Sequence, residues 1–174
     1  MTDMLVRLFS LPDLTPHQQA LESKGFILRR AHPAESDTIV PWVEHHFNPK
    51  WAAECRGALQ HRPTTCFIAV QPQPLPSPDE DPYNNLPPEQ LVGFACYHIV
   101  AKGMFGPEGV HPGHRGQGLG RGLLLACLHA MAQEGYAYAV IAWAGPTGFY
   151  QKMVGATLIE DSEPGIFRGP LLGI

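Results

Sequence analysis

The most regular hydrophobic pattern of the chain lies in its second half. Apolar residues there recur at helical spacing and predict an amphipathic helix that ends at Gly135; they are Leu119, Leu123, Leu124, Cys127, Leu128 and Met131. The continuous apolar stretch "YAYAVIAWA", residues 136–144, follows and predicts a strand. A strand that is apolar on both faces belongs inside a sheet covered by helices on both sides.

Five further segments predict strands: 26–31, 64–71, 91–100, 103–110 and 167–172. The segments 64–71 and 91–100 are rich in β-branched and aromatic residues between polar or Gly/Pro-containing turns, and they are expected to be neighbours in one sheet. Pro107 has no amide hydrogen for a ladder, so we expect the strand over 103–110 to be broken by a bulge that opens the sheet.

Helices are predicted between these strands. Pro33 opens a helix that Pro41 should kink or divide, and Asn48 is a suitable cap for a second helix with Pro49 at its first position. A short helix is expected over 147–156. The order of helices and strands predicts an α/β or α+β architecture.

The length of the chain and the positions of its Gly- and Pro-containing segments favour one domain over residues 1–174. Residues 1–25 are interpreted as an N-terminal extension. The segment 72–90 contains seven prolines around an acidic centre, so we expect a long exposed loop there.

Composition excludes several classes of partner. The net charge is −4, which leaves no basic field for nucleic acid. No apolar run reaches the roughly 20 residues of a membrane span, and no signal peptide is evident, so we expect a cytoplasmic protein. The four cysteines are far apart in sequence and form no CxxC pair, so we expect small buried side chains and no metal site.

The stretch "VHPGHRGQGLGRGLL", residues 110–124, places glycines and arginines where the long helix begins. A strand, a glycine-rich turn and a helix N-terminus present free backbone N–H groups to an anion, most often a phosphate. The spacing fits neither a P-loop nor a dinucleotide-binding fingerprint. A glycine-rich turn that serves only tight packing is the alternative interpretation, and close packing is the role expected for Gly122.

The pattern RxxGxG is met by Arg115, Gly118 and Gly120 after "VHP" and a strand. In that context the stretch resembles the pyrophosphate loop of the GNAT superfamily of N-acetyltransferases, and the resemblance extends over roughly residues 26–172. It implies a central mixed, twisted sheet of about six to seven strands flanked by about four helices. Two of these strands, 103–111 and 136–144, should splay apart.

The resemblance also implies acetyl-CoA as cosubstrate and no metal. The pyrophosphate would lie on residues 115–120 and the pantetheine arm beside the bulged strand. The cofactor-binding residues implied in this way are Gly109, Val110, His111 (through its backbone), Arg115, Gly116, Gln117, Gly118, Leu119, Gly120 and Arg121. Family members often carry an asparagine after the splayed strand; this chain reads "AWAGPTG", and Thr147 as a helix cap is the expected partial substitute.

Two residues are candidates for catalysis. The segment "GFYQKMVGA" places Tyr150 where the family has a tyrosine near the thioester sulfur, and a phenol can protonate a leaving thiolate. Glu108 lies on the bulged strand, where the family often has a general base. A packing role for Tyr150 and a surface position for Glu108 are the alternatives.

The resemblance places the acceptor pocket at the first two helices and the turn between the last strands. The candidates there are Glu44, His46, Trp51 and Arg168, with Glu54, Asp161 and Glu163 as further carboxylates. The expected function is acetyl transfer to a primary amine of a small molecule, such as an amino sugar or amino acid, by direct attack in a ternary complex. A non-catalytic acyl-CoA sensor, a protein N-acetyltransferase and an enzyme that uses a nicotinamide dinucleotide are alternatives, and the oligomeric state is open, with a homodimer among the options.

Overall fold

The computed structural model of the chain describes residues 1–74 and 88–166, which form one seven-stranded sheet and five α-helices. In chain order the elements are β1 (Met4–Arg7), α1 (Thr15–Glu22), β2 (Ile27–Arg30), α2 (Ser36–His46), α3 (Pro49–Gln60), β3 (Cys66–Pro72), β4 (Glu89–Tyr97), β5 (Met104–Val110), α4 (Leu119–Gln133), β6 (Tyr138–Ile141), α5 (Thr147–Val154) and β7 (Thr157–Leu158). The predicted α/β class and the number of strands are confirmed, with five helices instead of about four.

The strand order is β2-β3-β4-β5-β6-β1-β7. All neighbouring strands are antiparallel except β5 and β6, which are parallel. The sheet is therefore mixed, as expected, and its single parallel pair lies near its centre.

Helices cover both faces of this sheet and enclose two apolar clusters. One cluster packs α1, α4 and α5 on one face; the other packs α2 and α3 on the opposite face. In β4, Phe94 belongs to the second cluster, whereas Val92 belongs to the first. A register shift opposite Ala69 and Val70 makes Val92 an extra residue, and such a bulge reverses the alternation of faces.

The first 25 residues are part of this architecture. β1 pairs with β6 on one side and with β7 on the other, and α1 packs on α4 and β2. Met4 and Val6 have no exposed surface, so the segment contributes to the core. The interpretation of residues 1–25 as an extension of the domain is therefore corrected, because these residues supply a strand inside the sheet.

Several local predictions are confirmed. The Asn48 side chain accepts a hydrogen bond from the Trp51 amide and caps α3, which begins at Pro49. The helix α4 ends just before Gly135, whose φ of 94° is the left-handed conformation that glycine favours after a helix. In contrast to these confirmed predictions, Pro41 does not divide α2, which continues through this residue from Ser36 to His46.

Other boundaries differ from the prediction. β6 contains only four residues because pairing with β5 ends at Ile141. The predicted loop over 72–90 is shorter at both ends, since Pro72 pairs with Glu89 in the ladder of β3 and β4. Residues 75–87 of that loop and the predicted final strand over 167–172 lie outside the described residues.

Candidate active site

The parallel pair β5 and β6 separates after two residue pairs, and a cavity opens at the separation. The pairs are Met104 with Val140 and Phe105 with Ile141. Beyond them, Gly106–Val110 on one side and Ala142, Trp143 and Gly145 on the other line a cavity of about 910 Å³. Pro107 has no amide hydrogen with which to continue the ladder, so the predicted splay of these two strands is confirmed together with its physical reason.

The glycine-rich turn forms one end of this cavity. Gly116 and Gly118 have φ values of 77° and 95°, a conformation that residues with a side chain rarely adopt. The first hydrogen bond of α4 runs from the Gly122 amide to the Gly118 carbonyl. The amides of residues 119–121 therefore have no acceptor within the helix, and the positive end of α4 faces the cavity.

Most of the predicted cofactor residues line the cavity: Gly109, Val110, Arg115, Gly116, Gly118, Leu119, Gly120 and Arg121. His111, Gln117 and Thr147 are not among the lining residues that the structure describes.

His111 is a turn residue, which corrects its expected role. Its amide donates to the Val92 carbonyl, its carbonyl accepts from the His114 amide, and its Nδ1 accepts from the Gly113 amide. The backbone groups of His111 are therefore already used by the protein. Thr147 is not the cap of α5; Pro146 occupies that position, and no described side chain caps the helix.

Two arginines differ in how the protein holds them. Arg115 Nε donates to the Val110 carbonyl at 3.2 Å, which fixes the guanidinium beside the turn. Arg121 Nε is buried without a hydrogen-bond partner among the described residues. A buried guanidinium N–H without a partner is unusual, and its position at the cavity suits an anionic ligand.

Two residues near the N-terminus, one on α1 and one just after it, hydrogen-bond to the glycine-rich turn. His17 Nε2 donates to the Gly118 carbonyl at 2.9 Å, and Lys24 Nζ donates to the Gln117 carbonyl at 3.2 Å. His17 also lines the cavity, as does His114. No signal in the sequence marks His17, because it lies about a hundred positions from the turn that it supports.

Glu108 lies on the cavity side of β5, so its predicted position is confirmed over the surface alternative. Its Oε1 is buried and has no hydrogen-bond partner among the described residues. Burial without compensation raises the pKa of the Glu108 carboxyl to about 8. A carboxyl with a pKa near neutrality is suited to accept a proton from an amine.

Tyr150 lines the same cavity from α5 and is only 8% exposed. Its ring contacts the rings of Phe105 and Phe149. Burial, and secondly the charge of Glu108, raise the pKa of the Tyr150 phenol well above its ordinary value. The phenol therefore keeps its proton throughout the physiological range and remains able to donate it.

Two of the predicted acceptor residues, Trp51 and Glu54, line the cavity. Glu44 is exposed on α2, and His46 packs its ring on Trp42 and His111. Asp161 and Glu163 also do not line it. Arg168 lies outside the described residues.

The acceptor end is formed by one face of the region at the start of α3. Phe47, Lys50, Trp51 and Glu54 all line the cavity. Trp51 and Glu54 are three residues apart on one face of α3 with Lys50 beside them, and this spacing is the signal that could have identified Lys50. Phe47 precedes the Asn48 cap, so no helical spacing marks it. Glu44 and His46 do not reach the cavity, because the preceding helix presents its Val43 position to the core instead.

Three cysteine thiols lie together elsewhere in the core. The sulfur atoms of Cys55, Cys66 and Cys96 all lie within 4.8 Å of one another, and none of the three residues has exposed surface. They are buried as expected, and the sheet brings them close although they are distant in sequence. The cluster faces α3 and lies outside the cavity.

Comparisons with known proteins agree with this geometry. A family model described as the acetyltransferase (GNAT) family matches residues 37–156, which is more than half of the chain. A comparison with curated protein sequences finds no match.

Several solved structures share the fold. The glucosamine N-acetyltransferase region of a fungal multi-domain GH3 β-N-acetylglucosaminidase superposes with a TM-score of 0.67 at 14% identity, covering 91% of this chain and 19% of that chain. A GCN5-related N-acetyltransferase from Sphaerobacter thermophilus gives 0.61 at 17% identity, covering 91% and 48%. A Drosophila protein gives 0.58 at 14% identity, covering 91% and 47%.

The present chain spans less than half the length of each of these three proteins. Identities of this size demonstrate a shared fold alone. Among the described residues, no helix combines the length and the apolar character that crossing a bilayer requires.

Proposed function

Because the chain belongs to the GNAT family of acetyltransferases, we propose that it transfers the acetyl group of acetyl-CoA to a primary amine of a small molecule. The observation that carries this proposal is one continuous cavity. It runs from the free amides of α4, past Glu108 and Tyr150, to the aromatic face of α3.

Acetyl-CoA would supply an activated acetyl group and a diphosphate by which it is held. The chain offers the amides of residues 119–121 and the Arg115 and Arg121 guanidiniums to the diphosphate. The unpartnered Arg121 Nε and the unpaired helix amides fit an anion at this position. The splayed edge of β5 at Gly109 and Val110 is the proposed track for the pantetheine arm.

Glu108 is proposed as the general base. The acceptor enters as an ammonium, and its nitrogen must lose a proton before it can form a bond to the acetyl carbon. The Glu108 carboxylate accepts that proton within the cavity.

Tyr150 is proposed as the general acid. As the new carbon–nitrogen bond forms, the carbon–sulfur bond breaks, and the departing thiolate takes up the phenol proton of Tyr150. The second proton of the nitrogen passes to the Tyr150 phenolate and restores the phenol, so the products are an N-acetyl amine and a free thiol. Both groups face the same cavity, which supports direct attack in a ternary complex.

A small acceptor is favoured by the shape of the site. The acceptor end is walled by α3 on one side and by the segment after β6 on the other. The fungal glucosamine N-acetyltransferase region makes an amino sugar one candidate class among several. Acetylation of a protein N-terminus is the competing outcome, since it would need an open groove in place of these walls.

Calorimetry with acetyl-CoA and with a nicotinamide dinucleotide, side by side, tests the cofactor. We expect binding of acetyl-CoA alone. Gly116→Asp and Gly116→Asn are matched variants, because both side chains have the same shape and a Cβ on Gly116 would meet no neighbouring atom within 4 Å.

If the turn binds a diphosphate, the aspartate should weaken acetyl-CoA binding at least about tenfold more than the asparagine. Equal affinities for the two variants, or preferential binding of the dinucleotide, would contradict the proposal. Release of CoA in the presence of a panel of amines, followed by chromatography, then separates an enzyme from a sensor that binds acetyl-CoA without turnover.

A further inference from the structure

The two walls of the acceptor end are built from aromatic rings. On the α3 side, Phe47 and Trp51 pack against each other with ring centroids 5.4 Å apart, and Trp51 rests on Phe94 with centroids 6.3 Å apart. On the opposite side are Trp143 and Phe149, with Met153 beside them. The walls approach each other where Lys50 Nζ lies 4.7 Å from the centroid of the Trp143 ring.

Phe47 owes its place to a glycine in the facing strand. A Cβ on Gly109 would lie 2.6 Å from Cε1 and 2.9 Å from Cε2 of the Phe47 ring. The ring therefore lies directly on the backbone of β5 on the α3 side. Glu108, which pairs with Ala95, points to the opposite face of this strand, toward α4.

Charged side chains at this end are few among the described residues. Lys50 and Glu54 are the two that α3 contributes, and they lie on one helix face with Nζ and Oε1 4.0 Å apart. Burial raises the pKa of the Glu54 carboxyl, and Lys50 lowers it by a smaller amount. Hydrogen-bonding groups for an acceptor that carries many hydroxyls are scarce on these walls.

The chemistry of the walls discriminates between classes of amine. Each hydroxyl of an amino sugar would lose its water on entry and would need a partner that the aromatic rings do not provide. A ring attached to an ammonium fits these walls, because the ring packs on the aromatic side chains and the cation is attracted to the faces of the rings.

We infer that the acceptor is a primary amine that carries an aromatic ring, held between the Phe47–Trp51 wall and the Trp143 wall. This inference rests on the proposed function and names its substrate class. It assigns Trp51 and Trp143 as specificity-determining residues.

The test is a comparison of three amines with the full chain and acetyl-CoA: 2-phenylethylamine, glucosamine and a tetrapeptide with a free N-terminus. We expect kcat/KM for 2-phenylethylamine to exceed each of the others by at least about 100-fold, since two or more unpartnered polar groups are buried in each competitor. An equal or higher value for any competitor would overturn the inference and leave acetyl transfer itself intact.

A binding measurement separates this inference from the proposed function. In the presence of CoA, which cannot donate an acetyl group, calorimetry should detect 2-phenylethylamine at concentrations where glucosamine shows no binding. Binding without turnover would support the inference and contradict the proposed function. Absence of both binding and turnover would overturn the inference.

Two variants test the walls separately. Trp51→Ala and Trp143→Ala should each weaken the binding of 2-phenylethylamine by about tenfold and leave acetyl-CoA affinity within about twofold. Trp42→Phe is the control, because Trp42 does not line the cavity and the substitution keeps a ring against Phe47 and Phe94. Since the two tryptophans lie in different elements, misfolding of one variant leaves the other to decide. Unchanged amine affinity in a folded variant would overturn the assignment of that wall.

Discussion

Glu108 of β5 lies against Gly120 in the first turn of α4: a Cβ on Gly120 would be 3.3 Å from Glu108 Oε1. The glycine thus leaves room for the carboxyl as well as for a close approach to the helix amides. Glu108 pairs with Ala95 in the sheet and therefore faces α4, on the side of β5 opposite Phe47.

Removal of the Glu108 carboxylate should abolish one limb of the pH profile. Since the pKa is raised to about 8, the base form is scarce below that pH, and kcat should fall about tenfold per pH unit below about 8. Glu108→Gln should lower kcat by about 100-fold or more and lose this dependence. The measurement is kcat at saturating amine from pH 6 to 10; an unchanged limb in the variant would assign it to another group.

The same carboxyl should make stability depend on pH. Its ordinary pKa is 4.5 and its pKa in the folded chain is about 8, so the folded state holds the proton more tightly than the unfolded state. The stabilisation is complete below about pH 4.5 and is lost as the pH rises through about 8. The thermal midpoint of the wild-type chain should therefore decrease relative to that of Glu108→Gln between these values, and parallel curves would contradict the burial of this group.

Tyr150→Phe should lower kcat by about 100-fold and leave acetyl-CoA affinity unchanged, because only the phenol oxygen is removed. The raised pKa of Tyr150 also predicts that the wild-type rate stays level between pH 8.5 and 10, since the phenol does not ionise there. Tyr138→Phe is the control; Tyr138 is 50% exposed and its ring contacts Phe9. Full activity of Tyr150→Phe would remove the proposed acid.

His17→Ala should weaken acetyl-CoA binding by about fivefold to tenfold, because the Gly118 carbonyl loses its hydrogen bond and the turn loses a support. His129→Ala is a close match: His129 Nε2 donates to the Pro12 carbonyl at 2.9 Å and likewise links the N-terminal segment to α4. His129 does not line the cavity. Calorimetry measures the acetyl-CoA affinity of both variants. Equal affinities would show that His17 acts only on the stability of the chain.

Gly109→Ala should destabilise the chain by about 1–3 kcal/mol, because the added methyl group meets the Phe47 ring. In Phe47→Leu the ring is absent, so the double variant should be more stable than the sum of the two single effects predicts. Urea unfolding of the four proteins measures this coupling. Additive changes would mean that Phe47 does not rest on β5.

Features that depend on a few consecutive residues could be predicted from the sequence. The Asn48 cap, the long helix after Gly118 and the left-handed glycines each follow from propensity or periodicity over one or two turns. Gly122 belongs with them: a Cβ there would lie 2.8 Å from Leu21 Cδ1, so this glycine serves packing, as expected.

Features that depend on distant segments could not be predicted. β1 lies between β6 and β7 although more than a hundred residues separate it from either, and no local pattern encodes that pairing. His111 is expected at the cofactor from the family resemblance, whereas the carbonyl of Val92 in the adjacent strand already accepts its amide hydrogen.

The sequence by itself determined the glycine-rich turn, the helix that follows it and the family to which the chain belongs. These depend on backbone conformations that glycines and capping residues impose locally. Only the tertiary structure decided the environment of Glu108 and the aromatic walls beside it. Burial, the altered proton affinity of the carboxyl and ring packing arise when β5, α3, α4 and the segment after β6 come together, and their free energies belong to contacts between residues far apart in the chain.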